Sequence, residues 1–491
     1  MTASPVAFLE PSEADSSNRR RYLRSSTAFL ADHSLVLLTC VAFTVLLVEL
    51  LPNVMSTDGW LALLDGRSIV RHGLPHTNTM TLVARGHVWV DQQWLGQLAL
   101  YGLYLLGGLK LVLGVNLALV ASAYALATAY ASRRRGGNST MVAVVAALAF
   151  LPIVISSAAI RTQSFVYLPF VFLVAQMLRR KHETWRVVAL LALLGVWANV
   201  HGSVVLAAGI VLLRGVVDVT ERKWTMTTLL LVVGPIPAIF ASPYALDLPS
   251  YYHATAFNSS FARYLQQWAP STLSPLTAPL YVLLLGGVWT LGRCRGVYTR
   301  FESQLLVVAV LAGLLAVRHW PFAGLIMIML LPHGLSTLRP RTGRAPSRVA
   351  AAVVAAASGL AVLLAISVLM RPTSAFTKQF SPQLATVVAR ASSHAPGPIY
   401  ASVRYADWLM WARPSLVGGL RIDARYELMN ASTIQRLVLF RLGAGVDHVL
   451  RANRILVLDP GTQSKAIAAI RGRVRVLYET PQVFVAEVPQ R

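Results

Sequence analysis

Long apolar runs separated by short polar turns fill most of the chain. The first, residues 33–52, is about 20 residues long, enough for a helix to cross a hydrocarbon core of roughly 30 Å. Further runs cover 110–131, 141–158, 164–178, 186–199, 203–217, 225–241, 276–291, 302–317, 321–338 and 349–370. Several are only about fourteen to sixteen residues, short for a span. The turns alternate in kind. "RRRYLR", "SRRRGG", "RRKHETWR", "ERK", "GRCRGVYTR" and "RPRTGR" mark every second connection. Basic clusters stay on the cytoplasmic side, so this alternation threads the chain through about eleven spans with its N-terminus inside. The segment "WLGQLALYGLYLLGG" (94–108) is apolar enough for a further span, but counting it would push "SRRRGG" outside. It is therefore placed at the outer surface as an interfacial helix, within a large first outer loop, 53–109.

Beyond Met370 the pattern changes. Polar residues become frequent and the long runs stop. "PIYASV", "GLRID" and "RILVLD" read as strands, "RYADWLMWA", "STIQRLVLFRL" and "SKAIAAI" as helices, and "VRVLYE" with "VFVAEV" around "TPQ" as a hairpin. The expectation is an α-helical polytopic membrane protein carrying a small extracytoplasmic α/β domain at 371–491. The transmembrane domain is 33–370, preceded by a disordered basic cytoplasmic tail, 1–32.

Composition agrees with a multi-pass protein of the cytoplasmic membrane. Hydrophobic residues make up 55% of the 491 and charged residues 13%, about half the charge of an ordinary soluble domain; mean hydropathy is +0.58. No cleavable signal peptide is visible, so the first run is expected to stay as an anchor. The net charge of +24 does not imply a nucleic-acid partner, because it sits in the clusters that set orientation. Cys40 lies within a span and Cys294 in a basic turn, so no disulfide is expected between them.

Ionisable residues at the outer ends of the runs stand against this background. Asp58 follows the first span, and Asp91 lies in "WVDQQWL". Arg161 and Gln163 share the turn "AAIRTQSF", Asn199 and His201 share "WANVHGS", and Arg318 and His319 lie in "AVRHWPF". Each alone has an ordinary explanation. Asp58 caps a helix starting at Gly59, Arg161 and Arg318 snorkel to headgroups, His201 bonds its own turn, Asp91 pairs with Arg85, and Asp65 pairs with nearby Arg67. Taken together they point elsewhere. Outer loops should carry few Arg, and ionisable groups at membrane depth mark functional sites. An acid among several positive groups suits a substrate bearing a phosphate, which the Arg fork matches.

The order of motifs resembles one family. "TDGW" follows the first span, then "RSIVRHGLPHTNTMTLVARGHVWVDQQWLGQL", "RTQSF", "WANVHGS" and, in the tail, "GGLRIDARYEL". This is similar to polytopic glycosyltransferases of the C-type (GT-C) fold, over most of the chain. The resemblance implies transfer of a sugar from a polyprenyl-phosphate donor to a glycan, lipid or protein acceptor on the outer face, with inversion. It implies Asp58 as general base or as the group that orients the acceptor. By their placement Asp91 is a second catalytic candidate, and Arg161, Gln163, His201, Arg318 and His319 are candidates for binding the substrate. The chain departs from the family where "GWLALLD" has no His, where Asn78 stands for an acid, and where Gln267-Trp268 stands for Glu-Trp. Each departure removes an ionisable group, which leaves a divalent metal an open question and implies no other cofactor. Two other readings stay open. A flippase of lipid-linked glycans predicts charges near mid-span and broken helices there, and the runs are nearly free of charge. A non-catalytic scaffold predicts that Asp58 is dispensable.

Overall fold

A computed structural model describes residues 30–134, 138–256, 263, 265, 267–294, 296–338 and 348–489. The basic tail up to residue 29, the end of "SRRRGG" and "RPRTGR" lie outside the described residues.

A helix lies on each of the eleven apolar runs. They are α1 (Ser34–Leu50), the second half of α3 (Trp94–Arg133), α4 (Ser139–Ser157), α5 (Ser164–Met177), α6 (Thr184–Trp197) and α7 (Val204–Thr220), then α8 (Met226–Val233) with α9 (Pro235–Ile239), α11 (Ala278–Arg293), α12 (Arg300–Leu315), α13 (Trp320–Leu338) and α14 (Arg348–Met370). Helices α2 (Thr57–His72) and α10 (Leu248–Ala256) lie in the longer connections. Five helices among the described residues are long and apolar enough to cross a membrane. Helices α5 and α6 have only 14 residues each. The run 225–241 is two helices rather than one, because Pro235 lacks the N–H that would continue α8. Helix α3 has 40 residues but breaks at Gly107–Gly108, where Gly108 has φ 63°. The break falls where the expected surface helix meets the expected span, and glycine takes that left-handed conformation without a Cβ clash.

Helix α13 is the axis of the bundle. It is buried along nearly its whole length and packs on α4, α12 and α3. Phe322 meets Phe170 edge-on, with ring centroids 4.8 Å apart. The connection after α1 folds back onto this bundle through two close approaches. A Cβ on Gly66 would lie 2.4 Å from the Gln97 carbonyl oxygen, and one on Gly96 2.8 Å from the Thr162 Cβ. Any side chain there would push α2 from α3, or α3 from the turn before α5.

The C-terminal part is a four-stranded sheet with helices. Helix α15 (Pro382–His394) leads into β1 (Ile399–Ala401), α16 (Val403–Ala412), α17 (Ala431–Arg441), α18 (Val446–Ala452), β2 (Ile455–Leu458), α19 (Pro460–Ile470), β3 (Arg475–Glu479) and β4 (Phe484–Glu487). The sheet order is β1-β2-β4-β3, with β1 and β2 parallel and the other pairs antiparallel. The expectation needs correction in two respects. Helices α15 and α18 are additions to the elements that the spacing predicts, and "GLRID" forms no strand beyond a single bridge between Ile399 and Leu420. The segment instead divides its hydrogen bonds. Arg421 N–H donates to the Ile399 carbonyl, while the carbonyls of Leu420 and Arg421 accept from Leu82 and Val83 of the connection after α1. It therefore stitches the sheet to that connection. Helix α16 completes the docking by packing on α2. Arg67 donates to the Trp411 and Met410 carbonyls at 3.0 and 3.1 Å, and lies 4.3 Å over the Trp411 ring. It serves the unsatisfied end of α16, not Asp65 as the sequence suggested.

Candidate functional site

Three interhelical turns and the start of α2 meet at one cavity of about 420 Å³. Asp58 sits in the first turn of α2, whose N-cap is Ser56, so capping is not its task. Its Oδ2 is 2.7 Å from Nε of Arg161. Arg161 is placed by its neighbour: Ile160 N–H donates to the Val54 carbonyl, tying the turn before α5 to the connection after α1. Gln163 at the mouth of α5 is buried, and its Nε2 has no partner among the described residues. His201 lies in the turn before α7. Its Nδ1 accepts from Ser203 N–H at 3.1 Å and sits 2.9 Å from the Ser203 hydroxyl, which leaves Nε2 to carry the ring proton. Burial, helped by the charges of Arg318 and Arg161, holds this imidazole well below its usual range, so it is neutral and a donor. Arg318 lies in a 3₁₀ turn, Val317–His319, that leads into α13. Its guanidinium stacks 3.9 Å over Trp268, and its backbone N–H donates to the Gln267 carbonyl.

Asp58, Arg161, Gln163, His201 and Arg318 all line this cavity. Asp91 and His319 do not. Asp91 is buried beneath the wall, where its Oδ1 accepts from Gln97 Nε2 at 2.9 Å. The same amide reaches Asp65 Oδ2 at 3.3 Å. The expected Asp91–Arg85 pair is absent, since Arg85 donates to the Gly418 carbonyl. Nor is Asp65 an exposed ion-pair member; it is 1% exposed. His319 turns away from the cavity, with Nδ1 buried and without a hydrogen-bond partner among the described residues.

From the C-terminal part, "GGLRIDARYEL" and α17 add Arg425, Tyr426, Glu427 and Arg441 to the lining, beside Tyr251 and Thr255 of α10. Arg425 and Asp423 are each 2% exposed, and Arg425 reaches Asp423 Oδ2 through both Nε and Nη2. Arg425 also donates to Asn78 Oδ1 at 3.1 Å and lies 4.3 Å over the Trp89 ring. Asn78 donates in turn to the Val83 carbonyl at 3.0 Å; an acid, which only accepts when ionised, cannot do both. The sequence marked the motif but assigned none of these roles. The usable signal was two acids within five residues, Asp423 and Glu427, in a chain with 20 acids in all.

Behind that wall lie more carboxyls than bases. Asp65, Asp91, Asp407 and Asp423 surround Arg425, and both Asp407 oxygens are buried with no hydrogen-bond partner among the described residues. Burial pushes Asp91 up to about 7 and Asp65 and Asp407 well above the usual carboxylate range. Asp65 Oδ1 and Asp91 Oδ2, the oxygens Gln97 does not reach, are buried without a hydrogen-bond partner among the described residues. A carboxyl whose native pKa is raised binds its proton more tightly when folded. Its contribution is full below the unfolded value near 4 and is lost as pH rises through the native one. Thermal stability should therefore fall between pH 5 and pH 8. The Asp91 part is at most about 4 kcal/mol, because its carboxyl rises from near 4 to about 7 and each tenfold change in proton affinity is worth roughly 1.4 kcal/mol. Melting in detergent across that range tests this, and Asp91→Asn should flatten the slope. No group of three or more His, Cys, Asp or Glu among the described residues is placed to hold a metal ion.

No protein-family model matches the chain, and no curated protein matches it. Solved structures do. The arabinofuranosyltransferase AftD from Mycobacteria aligns over 93% of this chain and 40% of its own at 16% identity, with a TM-score of 0.50. ArnT from Cupriavidus metallidurans bound to undecaprenyl phosphate aligns over 92% of this chain and 98% of its own at 13% identity, with a TM-score of 0.49. The Archaeoglobus fulgidus oligosaccharyltransferase, tethered with an acceptor peptide, aligns over 92% of this chain and 74% of its own at 11% identity, with a TM-score of 0.47. The likeness to AftD shows the C-type glycosyltransferase fold that the motif order implied. With the five long apolar helices, it makes the chain a multi-pass membrane protein.

Proposed function

We propose that the chain is a membrane glycosyltransferase that moves a sugar from a polyprenyl-phosphate donor to an acceptor hydroxyl outside the cytoplasmic membrane. In this reading the N-terminus is cytoplasmic, about eleven spans form the bundle, and the sheet at 371–491 is extracytoplasmic. The observation that carries it is the convergence of Asp58, Arg161, His201 and Arg318, from four separate connections, on one cavity. A carboxylate beside two guanidiniums and a neutral imidazole suits inverting transfer from a phosphate leaving group. AftD, which shares the fold, is by its name an arabinofuranosyltransferase.

The acceptor oxygen attacks the anomeric carbon and gives its proton to the Asp58 carboxylate. The bond from that carbon to the phosphate oxygen breaks on the opposite face, through an oxocarbenium-like state. Charge grows on the departing phosphate, and Arg318, Arg161 and the His201 Nε2–H are the donors for it. Arg161 is paired with Asp58. An arriving phosphate offers Arg161 a second anion and loosens its hold on the base.

The test is the chain in lipid nanodiscs, supplied with pentosyl and hexosyl polyprenyl phosphates. Release of polyprenyl phosphate is expected, with an inverted linkage in the product. Arg318→Ala should slow release about a hundredfold, the usual effect of losing one donor to a developing oxyanion. A wild-type protein that neither binds polyprenyl phosphate nor turns over any such donor defeats the reading.

A further inference from the structure

Glu427 is a second acid on the cavity, and the transfer step does not use it. It belongs to a 3₁₀ turn, Tyr426–Leu428, in the C-terminal part, and it lines the cavity together with the bundle turns. Two anchors hold that turn in place. The backbone before it is stitched to Leu82 and Val83, and Arg425 is locked into Asp423 and Asn78. The basic residue nearest in sequence is thus committed elsewhere. Among the described residues Glu427 forms no ion pair. A carboxyl held on a cavity wall without an ion-pair partner is a candidate for contact with a ligand.

The remaining lining defines that ligand. Arg161, Arg318, Arg425 and Arg441 line the same space as Glu427 and Asp58. Four guanidiniums against two carboxyls repel an ammonium or amine acceptor. They leave a neutral, hydroxyl-bearing molecule as the natural partner of an acid, with Tyr426 and Trp268 as flanking aromatic surface. From this geometry we infer that Glu427 binds the acceptor, accepting hydrogen bonds from hydroxyls next to the reacting one, and that the acceptor is a sugar. The C-terminal part then supplies acceptor selection, while the bundle turns hold the donor phosphate. The inference rests on the glycosyltransferase reading, which it deepens.

The experiment uses the full chain in nanodiscs and two probes, a panel of methyl pentosides and hexosides and polyprenyl phosphate alone, with binding followed by tryptophan fluorescence. At least one glycoside should bind, and Glu427→Gln should weaken it tenfold or more while polyprenyl phosphate binding holds. Glu427→Asp should recover part of the loss. Where a glycoside serves as acceptor, the change should appear in its KM and leave the donor KM unchanged. Equal glycoside binding by wild type and Glu427→Gln overturns the role of Glu427 and leaves the enzyme reading standing. Polyprenyl phosphate binding with no glycoside bound overturns the acceptor class alone. A wild type that binds neither probe overturns both. Loss of polyprenyl phosphate binding together with glycoside binding in Glu427→Gln means a structural role and overturns the inference.

Discussion

Asp58→Asn is expected to lower the rate of sugar transfer about a thousandfold, within the range for removing a general base, while donor binding holds or tightens. The two effects separate because Asp58 has two relations in the site. One is chemical: its carboxylate is the proton acceptor, and an amide of the same shape cannot replace it. The other is electrostatic: its Oδ2 is held at 2.7 Å by Arg161. Asparagine releases that guanidinium, which becomes free to meet the donor phosphate. Single-turnover rates with a labelled polyprenyl-phosphate sugar, beside titration with polyprenyl phosphate, measure both. Transfer within threefold of wild type would remove Asp58 from the role of base. A loss of donor binding as large as the loss of rate would make it a structural residue.

Arg425→Leu is expected to destabilise the junction between the C-terminal sheet and the connection after α1 by about 3–5 kcal/mol, the usual result of breaking a buried ion pair from one side. Arg425 is a buried base amid Asp65, Asp407 and Asp423, and it lies 4.3 Å over Trp89. Without it the buried Asp423 carboxylate loses both charge-assisted hydrogen bonds from the guanidinium. The double change Arg425→Leu with Asp423→Leu should recover most of it, since replacing both members by apolar groups is often neutral. Melting followed by fluorescence at pH 7.5, with limited proteolysis to locate the opening, gives the comparison. A single variant as stable as wild type would mean that the pair holds nothing together.

Much of the candidate site was legible because its residues broke a local rule. Arg161, His201 and Arg318 stood in short turns that topology assigns to the Arg-poor side, and Asp58 followed an apolar run in a chain with few acids. The error over Asp91 and Asp65 has a plain cause. An acid in a polar connection reads as exposed, and only packing of α2 on α3, with Gly66 against the Gln97 carbonyl, puts both beneath a wall. Glu427 and Arg425 stood within a motif without a task, since they lie more than 250 residues beyond Arg161 in a chain whose tail shows no sign of where it docks.

Hydrophobic spacing and the alternation of basic turns determined the helical bundle, the change of architecture after Met370 and most strands and helices of the tail, because these depend on short-range periodicity and on the transfer of charge across a membrane. The broken run at Gly234–Pro235, the failure of "GLRID" to become a strand, and the second wall of the cavity were decided only by tertiary structure. A backbone hydrogen bond goes to whichever partner the fold brings near, and here the sheet edge takes the Gly419 carbonyl while the connection after α1 takes those of Leu420 and Arg421. That division, invisible along the chain, accompanies the placing of Glu427 on the same cavity as Asp58.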